Sequence, residues 1–219
     1  ETNALILRLV DDADRVTPLP PPWWRALLWL ASAVPYVAFV VLAMGTRIDL
    51  AEKILESRFI IEEVAAIATA LVAAFAAFWA VIPGRERWPL FLPAVPLAVW
   101  LGSLGQGCVQ TWLASGRDGL AFENDWTCLP VIALVGGFPA AVMAIMIRRG
   151  APIYPHAAVA LGGLAAAALG NVGLRLFHTT DASLMVLVWQ FGSVALLAAL
   201  AGLFGPSVHK WPQVLAKSQ

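Results

Sequence analysis

Two cysteines and one histidine are the residues of this chain best suited to thiol or soft-metal chemistry. Cys108 and Cys128 bracket one polar segment between two apolar stretches, and His178 follows a third stretch on the same side. If that face is oxidising, a bridge between the thiols would form and persist. It would close a loop of about 20 residues, worth roughly 3 kcal/mol in the chain-entropy account. The spacing matches neither a CxxC redox centre nor a zinc ribbon. A structural staple, or two free thiols, therefore competes with a redox- or metal-responsive role. Cys108, Cys128 and His178 could also form a soft-metal site, with Asp125 or Asp181 as a further ligand. The plainer reading of His178 is a histidine capping the last carbonyls of its helix. His156 and His209 lie on the other side, so no histidine pair faces across mid-depth as a bis-histidine haem would need.

The second candidate set is ionic. Glu62 and Glu63 open one apolar stretch and Arg175 closes another, at similar depth. Opposite charges so placed pair with each other rather than face hydrocarbon. A proton or ion relay would need such groups continued inward, and only Gln106, Asn171 and Gln190 extend the polarity. A structural or switching ion pair is the favoured reading. A small ion or solute transporter using these residues and the helix prolines is the alternative. A quinone-linked thiol oxidoreductase ranks third, because a redox-active CxxC is missing.

The elements that must position these residues are long apolar runs. Six of them, at 26–44, 59–82, 90–106, 129–147, 157–177 and 184–204, approach the roughly 20 helical residues that cross a bilayer core. A lipid-embedded backbone must satisfy its own hydrogen bonds, so these are helices. Composition agrees, at 60% hydrophobic and 13% charged with a mean hydropathy of +0.79. The fold class expected is all-α, a six-transmembrane-helix bundle. Net charge is zero, which gives no reason to expect a nucleic-acid partner. The first residues are polar and acidic, so no cleavable signal peptide is expected there.

Orientation follows from the basic residues. Arg8, Arg15, Arg25, Arg85, Arg87, Arg148, Arg149, Lys210 and Lys217 fall on one side, against Arg47, Lys53, Arg58 and Arg117 on the other. Nine against four makes the first side cytoplasmic and puts both termini inside. Trp23, Trp24, Trp88 and Tyr154 mark the inner interface, and Trp112 and Trp126 flank the outer loop expected at 107–127. The other outer loop, 45–58, carries Ile48, Leu50, Ile54 and Leu55 among charges and reads as a short surface helix. Gly162, Gly163, Ala166, Gly170 and Gly173 should let the fifth span approach its neighbours closely. Pro35, Pro93, Pro96 and Pro139 should bend their spans.

Residues 1–22 form the remaining exposed element, ahead of a 23–205 transmembrane domain and a 206–219 tail. Asn3 could cap a short amphipathic helix, with Leu5, Ile6, Leu9 and Val10 on one side and Arg8, Asp11, Asp12 and Asp14 on the other. A proline-rich tether then spaces it from the membrane. Such a helix suits docking into a groove of a soluble partner, although it could instead lie on its own bundle or on the membrane surface.

Several segments stand in a characteristic order: the Leu-Ile-Leu-Arg-Leu-Val-Asp-Asp start, the Pro-rich tether, Gly45-Thr-Arg-Ile-Asp-Leu50 and Trp100-Leu-Gly-Ser-Leu-Gly-Gln-Gly-Cys108. Asp125-Trp-Thr-Cys-Leu-Pro130, Arg148-Arg-Gly-Ala-Pro152 and Arg175-Leu-Phe-His178 with Asp181-Ala-Ser183 complete the set. As an ordered set they resemble the NrsF-like membrane anti-sigma family, negative regulators of extracytoplasmic-function sigma factors. The resemblance implies a bacterial inner-membrane protein without catalytic activity that holds its sigma factor through cytosolic parts. It also implies sensing of metal or oxidative stress at extracytoplasmic cysteines, with transient heavy-metal binding as the one cofactor-like event. Cys128 fits the Trp-x-Cys motif. Many relatives place the second cysteine directly after the histidine here numbered 178, where this chain has Thr179 and offers Cys108 instead. Membrane lipid is the other expected partner; the oligomeric state stays open.

Overall fold

The structure, a computed structural model, describes residues 19–116, 128–150 and 154–177. Among them every regular element is helical: α1 (Pro22–Met44), α2 (Leu50–Lys53), α3 (Ser57–Ala80), a 3-10 turn (Trp88–Phe91), α4 (Ala94–Ser115), α5 (Cys128–Arg148) and α6 (Pro155–Phe177). Five helical segments are long and apolar enough to cross a membrane. At about 1.5 Å per residue, the 23 residues of α1 reach roughly 35 Å, enough for the hydrocarbon core with some tilt. The sixth span expected at 184–204, the amino-terminal arm with Leu5, Ile6, Leu9, Val10, Asp11 and Asp12, and His178 lie outside the described residues.

The five long helices alternate in direction. One end of the bundle gathers Arg25, Arg85, Arg87, Arg148 and Arg149, and is called here the basic end; the other gathers Glu62, Glu63 and Arg175, and is called the glutamate end. α3 and α6 are the most enclosed helices and pack most extensively on each other. Alanine makes this possible on α3, where Ala66, Ala70, Ala73, Ala74 and Ala77 are fully buried or nearly so. On α6 the glycines do the same. A Cβ on Gly170 would sit 3.3 Å from the Gly136 Cα of α5, and one on Gly173 only 2.4 Å from Val37 Cγ1 of α1. Gly162 meets Met143 and Ile147 in the same way, whereas Gly163 faces open space. Outward-facing Phe39, Leu42, Phe91, Val95 and Leu113 are each more than two-thirds exposed, an apolar surface that lipid would cover.

Prolines act differently at different positions. Pro139 sits inside α5 and has no N–H to give to the Val135 carbonyl. Two α1 side chains donate to carbonyls on either side of that break: Tyr36 Oη to Leu134 O at 2.8 Å and Trp29 Nε1 to Pro139 O at 2.9 Å. The Tyr36 ring also stacks on Phe138. Pro93 and Pro96, expected to bend the third span, instead stand at the start of α4, where a missing N–H costs no ladder bond.

The loop expected to begin at residue 107 begins later. α4 runs on to Ser115, so Cys108 lies within the helix rather than in the loop. Gly102, Gly105 and Gly107 interrupt the apolar pattern without interrupting the helix. Inside a bilayer no water competes for the backbone, and glycine's low propensity matters less. The short helix expected in 45–58 is a single turn, α2, with Ile48 and Leu55 almost fully exposed.

Candidate functional site

At the glutamate end, α3, α4 and α6 meet around one carboxylate. Glu62 is 2% exposed. Its Oε1 accepts from Arg58 Nε at 2.8 Å and from Ser103 Oγ at 3.2 Å, while its Oε2 takes the Arg175 guanidinium. Arg175 also reaches Glu63, with Nε 3.2 Å from Oε1, and its guanidinium lies 4.8 Å from the centre of the Phe59 ring. Two glutamate side chains and two guanidiniums therefore meet at the junction of three helices. Arg58 and Glu62 are one helical turn apart on α3, the spacing at which such side chains meet. Ser103 and Arg175 arrive from antiparallel and neighbouring helices.

The thiol of Cys108 belongs to the same neighbourhood. The Arg58 guanidinium occupies the space that a side chain on Gly107 would need, since a Cβ there would fall 1.6 Å from Nη2. Cys108 is a partly buried thiol, in no disulfide among the described residues, within electrostatic reach of Arg58 and Glu62. Cys128 is the first residue of α5; its side chain, like His178, lies outside the described residues. Among the described residues no cluster of three or more His, Cys, Asp or Glu side chains could hold a metal ion.

One turn further in, Asn171 is completely buried, and among the described residues neither its amide oxygen nor its nitrogen has a hydrogen-bond partner. Thr69, also buried, returns its hydroxyl to the Ala65 carbonyl of its own helix. Gln106, by contrast, is exposed. Polarity thus fades within about two turns of Glu62, and no ionisable residue of the described spans continues it toward the basic end.

The loop after α1 closes the site from above. Gly45 takes φ 81°, a conformation open to glycine, and ends α1. The Arg47 N–H then donates to the Leu176 carbonyl at 3.0 Å, capping the end of α6 next to Arg175. Asp49 holds the Arg47 guanidinium with two bonds of 2.7 and 2.8 Å.

At the opposite end, Arg25 is a residue whose burial the sequence did not disclose. It is 4% exposed, donates to the Met146 carbonyl in the last turn of α5, and lies 4.6 Å from the Phe78 ring of α3. A cation there complements the negative end of the α5 dipole. Position in the sequence marks Arg25 and Arg58 only as topological charges and singles out neither Ser103 nor Gly107 as a site residue. Of these, the Arg58–Glu62 pair was legible from its spacing; the other contacts depend on which helices become neighbours.

Several segments noted for their residue order converge on this geometry. Gly45–Leu50 forms the cap on α6, Trp100–Cys108 lines the wall facing Glu62, and Arg175 supplies the counter-ion. No curated protein and no solved structure matches the chain. The family described as negative regulator of sigma F (NrsF) matches residues 9–211, nearly the entire length, so the chain belongs to the NrsF family of negative regulators of sigma F.

Proposed function

We propose that this protein is a bacterial inner-membrane anti-sigma factor with its basic end in the cytoplasm. Its amino-terminal arm, through Leu5, Ile6, Leu9, Val10, Asp11 and Asp12, holds an extracytoplasmic-function sigma factor. Metal or oxidative chemistry at Cys128 with Cys108, and with His178 where a metal is involved, releases it. The excess of arginine at one end supports the orientation under the positive-inside rule. Family membership supports the partner class.

The single observation that supports the mechanism is the Arg58 guanidinium, bonded to Glu62 and seated against Gly107, the residue before Cys108. Modifying the Cys108 thiol changes the charge or bulk near a guanidinium that bonds Glu62, the carboxylate that joins α3 to α4 and α6. A ligand shifts a conformational equilibrium only through differential free energy between its states. Moving a partner from almost fully bound to almost fully free takes about 5 kcal/mol. A disulfide, at about 2–4 kcal/mol, acting together with rearrangement of a buried ion pair, reaches that scale.

Capture of the sigma factor by detergent-solubilised protein tests the reading. Full-length chain should retain it, and deletion of residues 1–16 should abolish retention. Undiminished capture by the deletion variant would transfer binding to other cytosolic surfaces and refute the role of the arm.

A further inference from the structure

A second site lies at the basic end, away from the glutamate cluster and independent of the sigma-factor reading. Pro83 and Gly84, with φ 77° at the glycine, turn the chain out of α3. The Trp79 indole donates to the Glu86 carbonyl at 3.0 Å and fixes that turn. Two exposed guanidiniums are then held against aromatic faces. Arg85 lies 4.6 Å from the centre of the Trp79 ring, and Arg87 lies 4.6 Å from that of Tyr154, which precedes α6. Between them is a shallow crevice lined by Trp79, Arg85, Glu86, Arg87, Leu90 and Tyr154. Among the described residues Glu86 is the one acidic group in its lining, and its carboxylate accepts from the Trp88 indole at 2.8 Å.

Stacking orders the arginines without neutralising them, because ring faces attract a cation yet leave its N–H groups free to bond outward. Next along the chain from Leu90, Phe91 and Val95 are more than 70% exposed and Val99 is half exposed. Val95 and Val99, four apart in α4, share one outward face, and Phe91 precedes them in the 3-10 turn. The exposed Trp88 ring stands in the turn between the two, and such rings favour the membrane interface. A pair of ordered cations continuous with an apolar stripe matches a molecule with a phosphate at one end and acyl chains at the other. A soluble acidic peptide would match the arginines but would leave the stripe unused.

We infer that Arg85 and Arg87, braced by Trp79 and Tyr154, bind the phosphate of an anionic phospholipid whose acyl chain lies along Phe91, Val95 and Val99. Native mass spectrometry of the full chain in nonionic detergent, titrated with short-chain phosphatidylglycerol, phosphatidylcholine or inorganic phosphate, tests this. Phosphatidylglycerol should be retained in preference to phosphatidylcholine. Arg85→Gln with Arg87→Gln should cut its retention on the order of tenfold, from the loss of two charges near the surface. Arg148→Gln, at the same end but outside the crevice, should change it little. Glu86→Gln should raise retention, a gain that misfolding cannot produce. Equal retention of the two lipids, equal loss in Arg148→Gln, or no gain in Glu86→Gln would overturn the site. So would displacement of the lipid by inorganic phosphate at equal concentration, or binding of a glutamate-rich peptide without lipid preference.

Discussion

Replacing Arg175 tests whether the glutamate-end cluster holds three helices together. Arg175→Gln leaves Glu62 with Arg58 and Ser103, but leaves Glu63 buried with no cation from α6. Breaking a fully buried ion pair by removing one partner costs about 3–5 kcal/mol. That range is an upper bound here, since Arg58 is 37% exposed on its side chain and remains in place. Individual polar contacts between membrane helices average about 0.6 kcal/mol and reach about 1.7. Arg175 makes two such contacts and a ring contact, so a loss of about 2–3 kcal/mol is expected. Glu62→Gln should cost a similar amount, because two guanidiniums then face a neutral amide. The double variant removes both charges together and should be less destabilised than the two single effects combined, by about 1–2 kcal/mol. Reversible unfolding in mixed micelles with increasing denaturing detergent measures each term. A coupling below about 0.5 kcal/mol would mean that the two residues are neighbours without mutual dependence, and would refute the clamp.

Other substitutions probe separate contacts. Gly107→Ala should expel the Arg58 guanidinium from its seat, costing about 1 kcal/mol, and the same substitution made on Arg58→Ala should cost almost nothing; equal costs in both backgrounds would disprove the contact. Gly173→Ala should destabilise by about 1–3 kcal/mol through overlap with Val37, whereas Gly163→Ala, which meets no atom, should be neutral. Trp29→Phe and Tyr36→Phe should each cost about 0.6–1.7 kcal/mol and speed amide exchange around Pro139 in α5, as read by hydrogen-exchange mass spectrometry. Cys128→Ser should preserve sigma-factor capture and blunt stress-triggered release; a normal response would remove that cysteine from sensing.

The spans were legible because lipid permits few backbone solutions, and a run of about 20 apolar residues has one reading. The end of α4 was not, since glycines and Gln106 look like a boundary when water is assumed to compete for the helix. Proline was legible as a helix-breaker but not in its effect, which depends on position within the span: Pro139 opens a ladder, while Pro93 and Pro96 start one. At the site, opposite charge and similar depth suggested Glu62, Glu63 and Arg175 as companions. What sequence could not supply was adjacency between helices. Ser103 on Glu62, Arg58 over Gly107 and Arg25 beneath α5 each need two helices to be neighbours at one height. Arg25 shows the limit most clearly, because an arginine at the start of a span looks identical whether it faces headgroups or caps another helix.

The proposed mechanism requires that chemistry on one face of the membrane alter binding on the other. Inverted membrane vesicles carrying the protein, loaded on the cytoplasmic face with its sigma factor, isolate that step. A thiol oxidant or a soft metal ion trapped in the lumen should release the sigma factor from the native protein and leave it bound to Cys128→Ser. Retention by both proteins, or equal release from both, would contradict the account.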